Sequence, residues 1–154
     1  MAEKTITVAA SGATAATRLV ETFDKIGELP LELVKSLSVR LEVTTGITGS
    51  TPTLNIFLQR ATQSSPGSDD WDDWYHFPEI TTSAVDHIVH GPLPLPQDVD
   101  GTLGSASHLV VQEALAADTL LAGAIGHQIR IMEKITGTGL TAAVYNIHLV
   151  AVSI

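Results

Sequence analysis

The stretch Ser36–Thr44 reads SLSVRLEVT, and its apolar and polar residues alternate at every step. A period of two is typical of a β-strand that is buried on one face only. The apolar face carries Leu37, Val39, Leu41 and Val43. Thr53–Arg60 repeats the pattern, with Leu54, Ile56 and Leu58 on one face and Asn55, Phe57 and Gln59 on the other. The turn-rich residues 45–52 between them predict a hairpin.

A second pair of strands is predicted at the C-terminal end. His127–Ile131 alternates, Thr136–Gly139 reads as a turn, and Ala143–Ile154 reads as a long strand. The two pairs match at Arg40 and Arg130, and at the runs Asn55–Leu58 and Asn146–Leu149. We expect a mainly β, antiparallel β-sandwich (jelly-roll-like) with at most short helices, in which each hairpin lies in one layer. Its predicted buried residues are Leu37, Val39, Leu41, Leu54, Ile56, Leu58, Ile129, Ile131, Ile147 and Leu149.

Composition narrows the class of protein. The chain has 154 residues, no Cys, 16% charged residues and a mean hydropathy of +0.24. This length predicts one domain, taken as residues 18–154 behind an N-terminal arm, residues 1–17. The net charge of -9 argues against binding to nucleic acid or anionic lipid, and no targeting or membrane segment is expected. The low charge predicts that a partner covers part of the surface.

Basic residues are missing from the middle of the chain. No Lys or Arg lies between Arg60 and Arg130, whereas ten acids do. If this interval clusters in space, the protein has an acidic face; alternatively, the acids only keep surface loops hydrated. The acids are Asp69, Asp70, Asp72, Asp73, Glu79, Asp86, Asp98, Asp100, Glu113 and Asp118.

Secondary structure in this middle part is less regular. Thr62–Ser68 reads as a loop, and Val85–His90 and Ser107–Glu113 read as strands. Glu113–Ala124 favours a helix by propensity. Ile26–Leu37 leaves room for a helical turn.

A search for chemistry finds no known catalytic motif, so we expect no enzyme, no cofactor and no catalytic metal. His87 and His90 are three residues apart, and on a strand they would point in opposite directions. The run Asp69–Asp73 lacks the spacing of a calcium loop. Trp71 and Trp74 suit stacking on a sugar, but one of them filling the core and the other lying on a rim is the commoner arrangement.

Three runs of sequence carry a resemblance to a known class. They are TPTLNIFLQR at residues 51–60, the segment from Ser65 through Trp71 to Thr82, and the ending from Gly126. The chain thereby resembles small β-sandwich virion proteins of tailed bacteriophages, in the head decoration or auxiliary capsid class. The resemblance covers roughly residues 35–154. The chain departs from that class in the turn before Trp71, where Pro-Gly-Ser-Asp-Asp stands in place of Asp-Gly.

The resemblance implies a non-enzymatic virion protein on the capsid exterior, made in the host cytoplasm. Its partners would be the major capsid protein and further copies of itself, for example in a trimer. The alternatives are a carbohydrate-binding module using Trp71, Trp74 and Tyr75, another phage part such as a tail or connector subunit, and, least favoured, a small hydrolase. The candidate partner-binding residues are Phe57, His148, Trp71, Trp74, Ala9, Ser11 and Thr14.

Overall fold

The computed structural model describes residues 2–9, 14–65, 68–77, 79–81, 87–90, 119–120 and 127–153. These residues form eleven β-strands and one short 3-10 turn. The elements are β1 (Ala2–Ala9), β2 (Ala16–Phe23), β3 (Lys25–Ile26), β4 (Leu29–Pro30), the 3-10 turn (Leu31–Leu33), β5 (Val34–Thr45), β6 (Thr48–Ser65), β7 (Ser68–His76), β8 (His87–His90), β9 (Thr119–Leu120), β10 (Ile129–Thr141) and β11 (Val144–Ser153).

Two antiparallel sheets make up the body of the molecule. The first has the strand order β1-β11-β5-β8, and the second has the order β2-β10-β6-β7-β9. The pairs β6·β7, β5·β8, β2·β10 and β1·β11 are nested, so the chain follows one long hairpin that folds over into two layers. That path is the jelly-roll arrangement of a β-sandwich. The predicted fold class is confirmed.

The two predicted hairpins are wrong, although their strands are right. β5 pairs with β11 and β8, whereas β6 pairs with β10 and β7. Each predicted hairpin therefore crosses from one sheet to the other through a two-residue link, residues 46–47 and residues 142–143. Ile47 and Ala143, within these links, are buried. A period of two shows which face of a strand is buried, but not which strand lies beside it.

The predicted core is confirmed at every position. All ten expected residues are at most 2% exposed. Phe23, Trp74, Phe77 and Tyr145 belong to the same cluster. The core lies between the sheets and consists of the inward residue of each alternating pair.

The N-terminal segment is also part of the sandwich. Ala2–Ala9, predicted as arm, pairs with β11 along its whole length, and its Ile6 is buried in the core. Residues 16 and 17 begin β2. This part of the arm prediction is therefore wrong, because Ile6 and Val8 supply enough apolar surface to hold an edge strand. Residues 10–13 lie outside the described residues.

Among the other local predictions of secondary structure, some are right and others are wrong. The helical turn predicted within Ile26–Leu37 is present as the 3-10 turn. The loop predicted at Thr62–Ser68 is wrong, since β6 continues to Ser65 and β7 begins at Ser68. β8 covers the described part of the strand predicted at Val85–His90. The helix predicted from Glu113 is contradicted at β9, and the strand predicted at Ser107–Glu113 lies outside the described residues.

Candidate functional site

The outward side of the second sheet carries an unusual number of polar and aromatic side chains, and we call it face B. Its residues alternate along β6 with the buried core residues, and β7 and β10 supply their neighbours. A β-bulge opposite Leu58 and Gln59 shifts the register of β7. The residues of face B are Asn55, Phe57, Gln59, Trp71, Asp73, His76 and Arg130.

One half of face B centres on the Asn55 side chain. Its amide nitrogen donates to Glu79 Oε2 at 2.9 Å, and its oxygen lies 2.7 Å from His76 Nε2. The imidazole of His76 stacks on the Phe57 ring, with centroids 4.1 Å apart. Asn55 and His76 are buried. A buried amide and a buried imidazole are stable here because each has a hydrogen-bond partner.

The other half of face B centres on the Gln59 side chain. Its amide nitrogen donates to Asp73 Oδ1 at 2.5 Å, and its oxygen accepts from Arg130 Nε at 2.7 Å. The Arg130 guanidinium lies 4.2 Å from the centre of the Trp71 ring, in a cation–π contact. Burial lowers the pKa of Arg130 below its usual value, and the charge of Asp73 opposes that shift.

A buried ion pair lies on the inward side of the paired strands β6 and β7. Arg60 and Asp72 are each 1% exposed, and two guanidinium nitrogens reach Asp72 Oδ2 at 2.9 and 3.2 Å. Asp73 is fully buried as well. Asp72 and Asp73 therefore do not contribute to the expected acidic face. Arg60 lies beside Asp72 and Arg130 lies beside Asp73, and these are the two arginines at the ends of the stretch without basic residues. Glu79 is exposed.

A second buried charge joins the two sheets near β1 and β2. Glu133 is fully buried, accepts from Arg18 Nε at 2.5 Å and accepts from the Tyr145 hydroxyl at 3.1 Å. Burial, followed by the nearby Glu133 carboxylate, raises the pKa of Tyr145 above its usual value. Arg18 also donates to the backbone oxygen of Ala9 at 2.7 Å. This cluster ties four strands together.

The outward side of the first sheet, which we call face A, is more open. His148 Nε2 lies 3.5 Å from Glu42 Oε2, and an Arg40 nitrogen lies 3.6 Å from the same oxygen. His148 Nδ1 lies 3.2 Å from Thr5 Oγ1. The side chains of Arg40, Glu42 and His148 are 41%, 30% and 25% exposed. Two of their buried atoms, Arg40 Nε and His148 Nε2, have no hydrogen-bond partner among the described residues.

On face B the acid, the imidazole and the two amides contact one another. Among the described residues, no three His, Asp or Glu side chains converge as metal ligands. The arrangement presents two outward sheet surfaces that carry hydrogen-bond donors and acceptors, together with aromatic side chains on face B.

The predicted partner-binding residues fall in separate places. Phe57 and His148 both face outward, as expected, but on opposite sides of the sandwich. Trp74 is fully buried in the core, whereas Trp71 is half-buried on face B. The other three do not cluster with them: Ala9 is exposed at the end of β1, Thr14 is exposed, and Ser11 lies outside the described residues.

Sequence reasoning missed most of face B. It assigned Asn55 and Gln59 to the outward side of their strand but did not pair them with His76, Asp73 or Arg130. The sequence did contain a signal for this network, in the composition of the outward side of β6. Amide side chains that become buried on a strand need hydrogen-bond partners from the neighbouring strands. The neighbours themselves depend on strand order, which the pattern does not contain.

No known protein family, no curated protein and no solved structure matches the chain. In the described parts of the chain, no helix is long and apolar enough to cross a membrane.

Proposed function

We propose that the protein is a non-enzymatic virion structural protein that binds and stabilises the outside of a tailed-phage capsid. Its partner is the major capsid protein, and it acts as a homo-oligomer on the virion surface. The resemblance in residues 51–60, 65–82 and 126–154 supports this assignment. Jelly-roll sandwiches are also frequent among capsid and lectin domains, which is support by fold analogy alone.

The observation that carries the proposal is the state of the polar groups on face B. Asn55, Gln59, Asp73 and His76 are buried and form two hydrogen-bonded pairs, Asn55 with His76 and Gln59 with Asp73, so they hold the second sheet in one arrangement. A sandwich held in this way presents face A in one shape, and a preorganised surface suits protein–protein contact because little conformational freedom is lost on binding.

Co-sedimentation with shells tests the proposal. Empty capsids are assembled from a tailed-phage major capsid protein, mixed with the purified chain and separated on a density gradient. We expect saturable binding at a fixed ratio to the capsid subunit and greater resistance of the shells to heat. Electron microscopy of the gradient fraction would show added density on the outer surface.

Two variants on face A and one control variant make the test specific. Arg40→Ala and His148→Ala remove two exposed groups of face A, whereas Lys35→Ala removes an exposed group elsewhere on β5. If face A contacts the shell, the first two variants weaken binding and the third does not. A chain that stays at the top of the gradient at every concentration contradicts the proposal.

Trp71 supports a second candidate, carbohydrate binding. Its ring is half-buried on face B beside Gln59 and Arg130, and aromatic rings next to polar groups are suited to sugars. Trp74 and Tyr75 belong to the core instead, so two of the three aromatics predicted for this role are not available. Binding on a glycan array that Trp71→Ala abolishes would favour this candidate over the first.

A further inference from the structure

The polar cluster on face A holds one carboxylate for two donor side chains. Arg40 and His148 lie directly opposite each other across β5 and β11, so they are nearest neighbours on the outward side. Glu42 follows on β5, and its Oε2 atom is 3.6 Å from an Arg40 nitrogen and 3.5 Å from His148 Nε2. Both distances are longer than the roughly 2.7 to 3.2 Å of a hydrogen bond. The carboxylate is therefore shared between the two side chains and hydrogen-bonded to neither.

Two donors of this cluster lack an acceptor. Arg40 Nε and His148 Nε2 are buried and have no hydrogen-bond partner in the described part of the chain. His148 Nδ1 lies 3.2 Å from Thr5 Oγ1, so a neutral ring that accepts from this hydroxyl carries its proton on Nε2. Buried donors without an acceptor are costly, because surface water does not reach them. The cluster is one acceptor short.

The neighbouring residues of face A do not supply the missing acceptor. In the row of Arg40 and His148, the flanking register positions are Thr5 of β1 and His90 of β8. The row on the side away from Glu42 consists of Ser38, Val150 and Glu3. No described residue among them bonds to Arg40 Nε or His148 Nε2. Since the Arg40 side chain is 41% exposed, an acceptor from outside the chain can reach it.

We propose that face A binds a carboxylate from an acidic segment of a partner protein, with Arg40 as its principal contact. A guanidinium holds a carboxylate through two parallel N–H donors. Glu42 then moves about half an ångström closer to His148 Nε2 and accepts a hydrogen bond from it. Two acceptors thus serve the two donor side chains.

The chemistry of the cluster favours this occupant over others. Its unpaired atoms, Arg40 Nε and His148 Nε2, are both nitrogens of donor side chains. A basic or apolar partner surface would leave both unpaired and would bury the guanidinium charge without compensation. Naming the capsid shell as the source of the carboxylate rests on the proposed function, whereas the binding site itself does not.

Titration of the full chain with hexaglutamate tests the site, and hexaglutamine is the uncharged control. We expect hexaglutamate at low ionic strength to shift the backbone amide NMR signals around Arg40 and His148 in a saturable way, and hexaglutamine to leave them in place. Arg40→Ala should weaken hexaglutamate binding about tenfold. Lys35→Ala removes the same charge from an exposed position elsewhere on β5, so binding should change less than about twofold.

Substitution of the acids should act in the opposite direction. Glu42→Gln keeps an oxygen for His148 but removes a like charge beside the incoming carboxylate, so we expect binding to strengthen about threefold. Glu3→Gln removes an exposed carboxylate of the same face farther from Arg40, and binding should change less than about twofold.

Several results would overturn the inference. One is an equal response to hexaglutamate and hexaglutamine, and another is an equally strong response to inorganic phosphate. Equal effects of Arg40→Ala and Lys35→Ala, or of Glu42→Gln and Glu3→Gln, would show general charge attraction in place of a site.

Shell binding on the density gradient separates this inference from the proposed function. A chain that binds hexaglutamate as expected but never binds shells contradicts the proposed function and leaves the carboxylate site established. If shells do bind, Glu42→Gln should bind them more tightly than the wild type, and Arg40→Ala less tightly. Shell binding without any peptide response would overturn the carboxylate site and leave the proposed function standing.

Discussion

The two outward faces of the sandwich are built from matching stretches of sequence but differ in how their polar groups are held. On face B, Asn55 and Gln59 are at most 9% exposed and take part in direct hydrogen bonds. On face A, the contacts of Glu42 with Arg40 and His148 are 3.5 to 3.6 Å long. The matched positions, face A first, are Arg40 and Arg130, Asn146 and Asn55, and His148 and Phe57.

The difference comes from the neighbouring strand. β7 lies beside β6 and brings Asp73 and His76 to face B, where they complete the hydrogen bonding of Gln59 and Asn55. On face A, β11 lies beside β5, and Arg40 faces His148 directly across the strands. Arg40 and His148 both contact one carboxylate there, that of Glu42. The matching stretches of sequence therefore form a buried hydrogen-bond network on face B and a half-exposed cluster on face A.

This contrast assigns different roles to the two faces. A buried network that loses one member leaves an unpaired polar group behind, which costs much more than losing an exposed contact. Face B should therefore contribute to stability. Face A, where Arg40 Nε and His148 Nε2 have no hydrogen-bond partner among the described residues, is the side where substitutions can change binding without unfolding the chain. Matched substitutions on the two faces test this assignment directly.

The two acids should show the largest difference. Asp73→Ala removes the acceptor of Gln59 and the charge beside Arg130, so we expect the free energy of unfolding to fall by about 3 kcal/mol. Glu42→Ala removes a half-exposed carboxylate, and we expect a loss of about 0.5 kcal/mol or less. Urea denaturation followed by tryptophan fluorescence measures both. Equal losses for the two variants would contradict the assignment.

The two arginines should differ by less. Arg130→Ala removes the hydrogen bond to Gln59 and the stack on Trp71, which together predict a loss of about 2 kcal/mol. Arg40→Ala removes longer contacts from a side chain that is 41% exposed, so its loss should stay within about 0.5 kcal/mol. The same denaturation experiment applies. The Trp71 emission spectrum should also shift in Arg130→Ala alone, because only that variant exposes a ring face.

The two asparagines isolate hydrogen bonding from charge. Asn55→Ala leaves His76 and Glu79 without their shared partner, and we expect a loss of about 1 kcal/mol or somewhat more. Asn146→Ala, at the matching position on face A, should stay within about 0.5 kcal/mol of the wild type. Thermal unfolding by calorimetry would resolve the two variants. A larger effect at Asn146 would show that face A has structural contacts beyond those described.

The sequence predicts one half of this arrangement well. Alternation alone identified ten buried residues of β5, β6, β10 and β11, because burial of one strand face requires a period of two. It did not identify the partners of those strands, and for that reason both hairpins were wrong and the pairing of Asp72 and Asp73 with arginines was missed. The N-terminal strand escaped notice because Lys4 occupies an inward position of β1, where it reaches Glu21 instead of breaking the sandwich.

Added salt should produce the smallest effect and the clearest separation between the faces. The Debye length is about 8 Å at physiological ionic strength and about 3 Å at 1 M, so exposed ion pairs are screened whereas buried ones largely are not. The difference in unfolding free energy between wild type and Glu42→Ala should therefore shrink toward zero in 1 M NaCl, a change of a few tenths of a kcal/mol. The difference between wild type and Asp73→Ala should change little, because Asp73 is fully buried. Sodium chloride acts equally on the denatured state of both variants, so the comparison cancels its general effect. A salt response as large for Asp73 as for Glu42 would mean that water reaches face B, and the distinction between the two faces would fail.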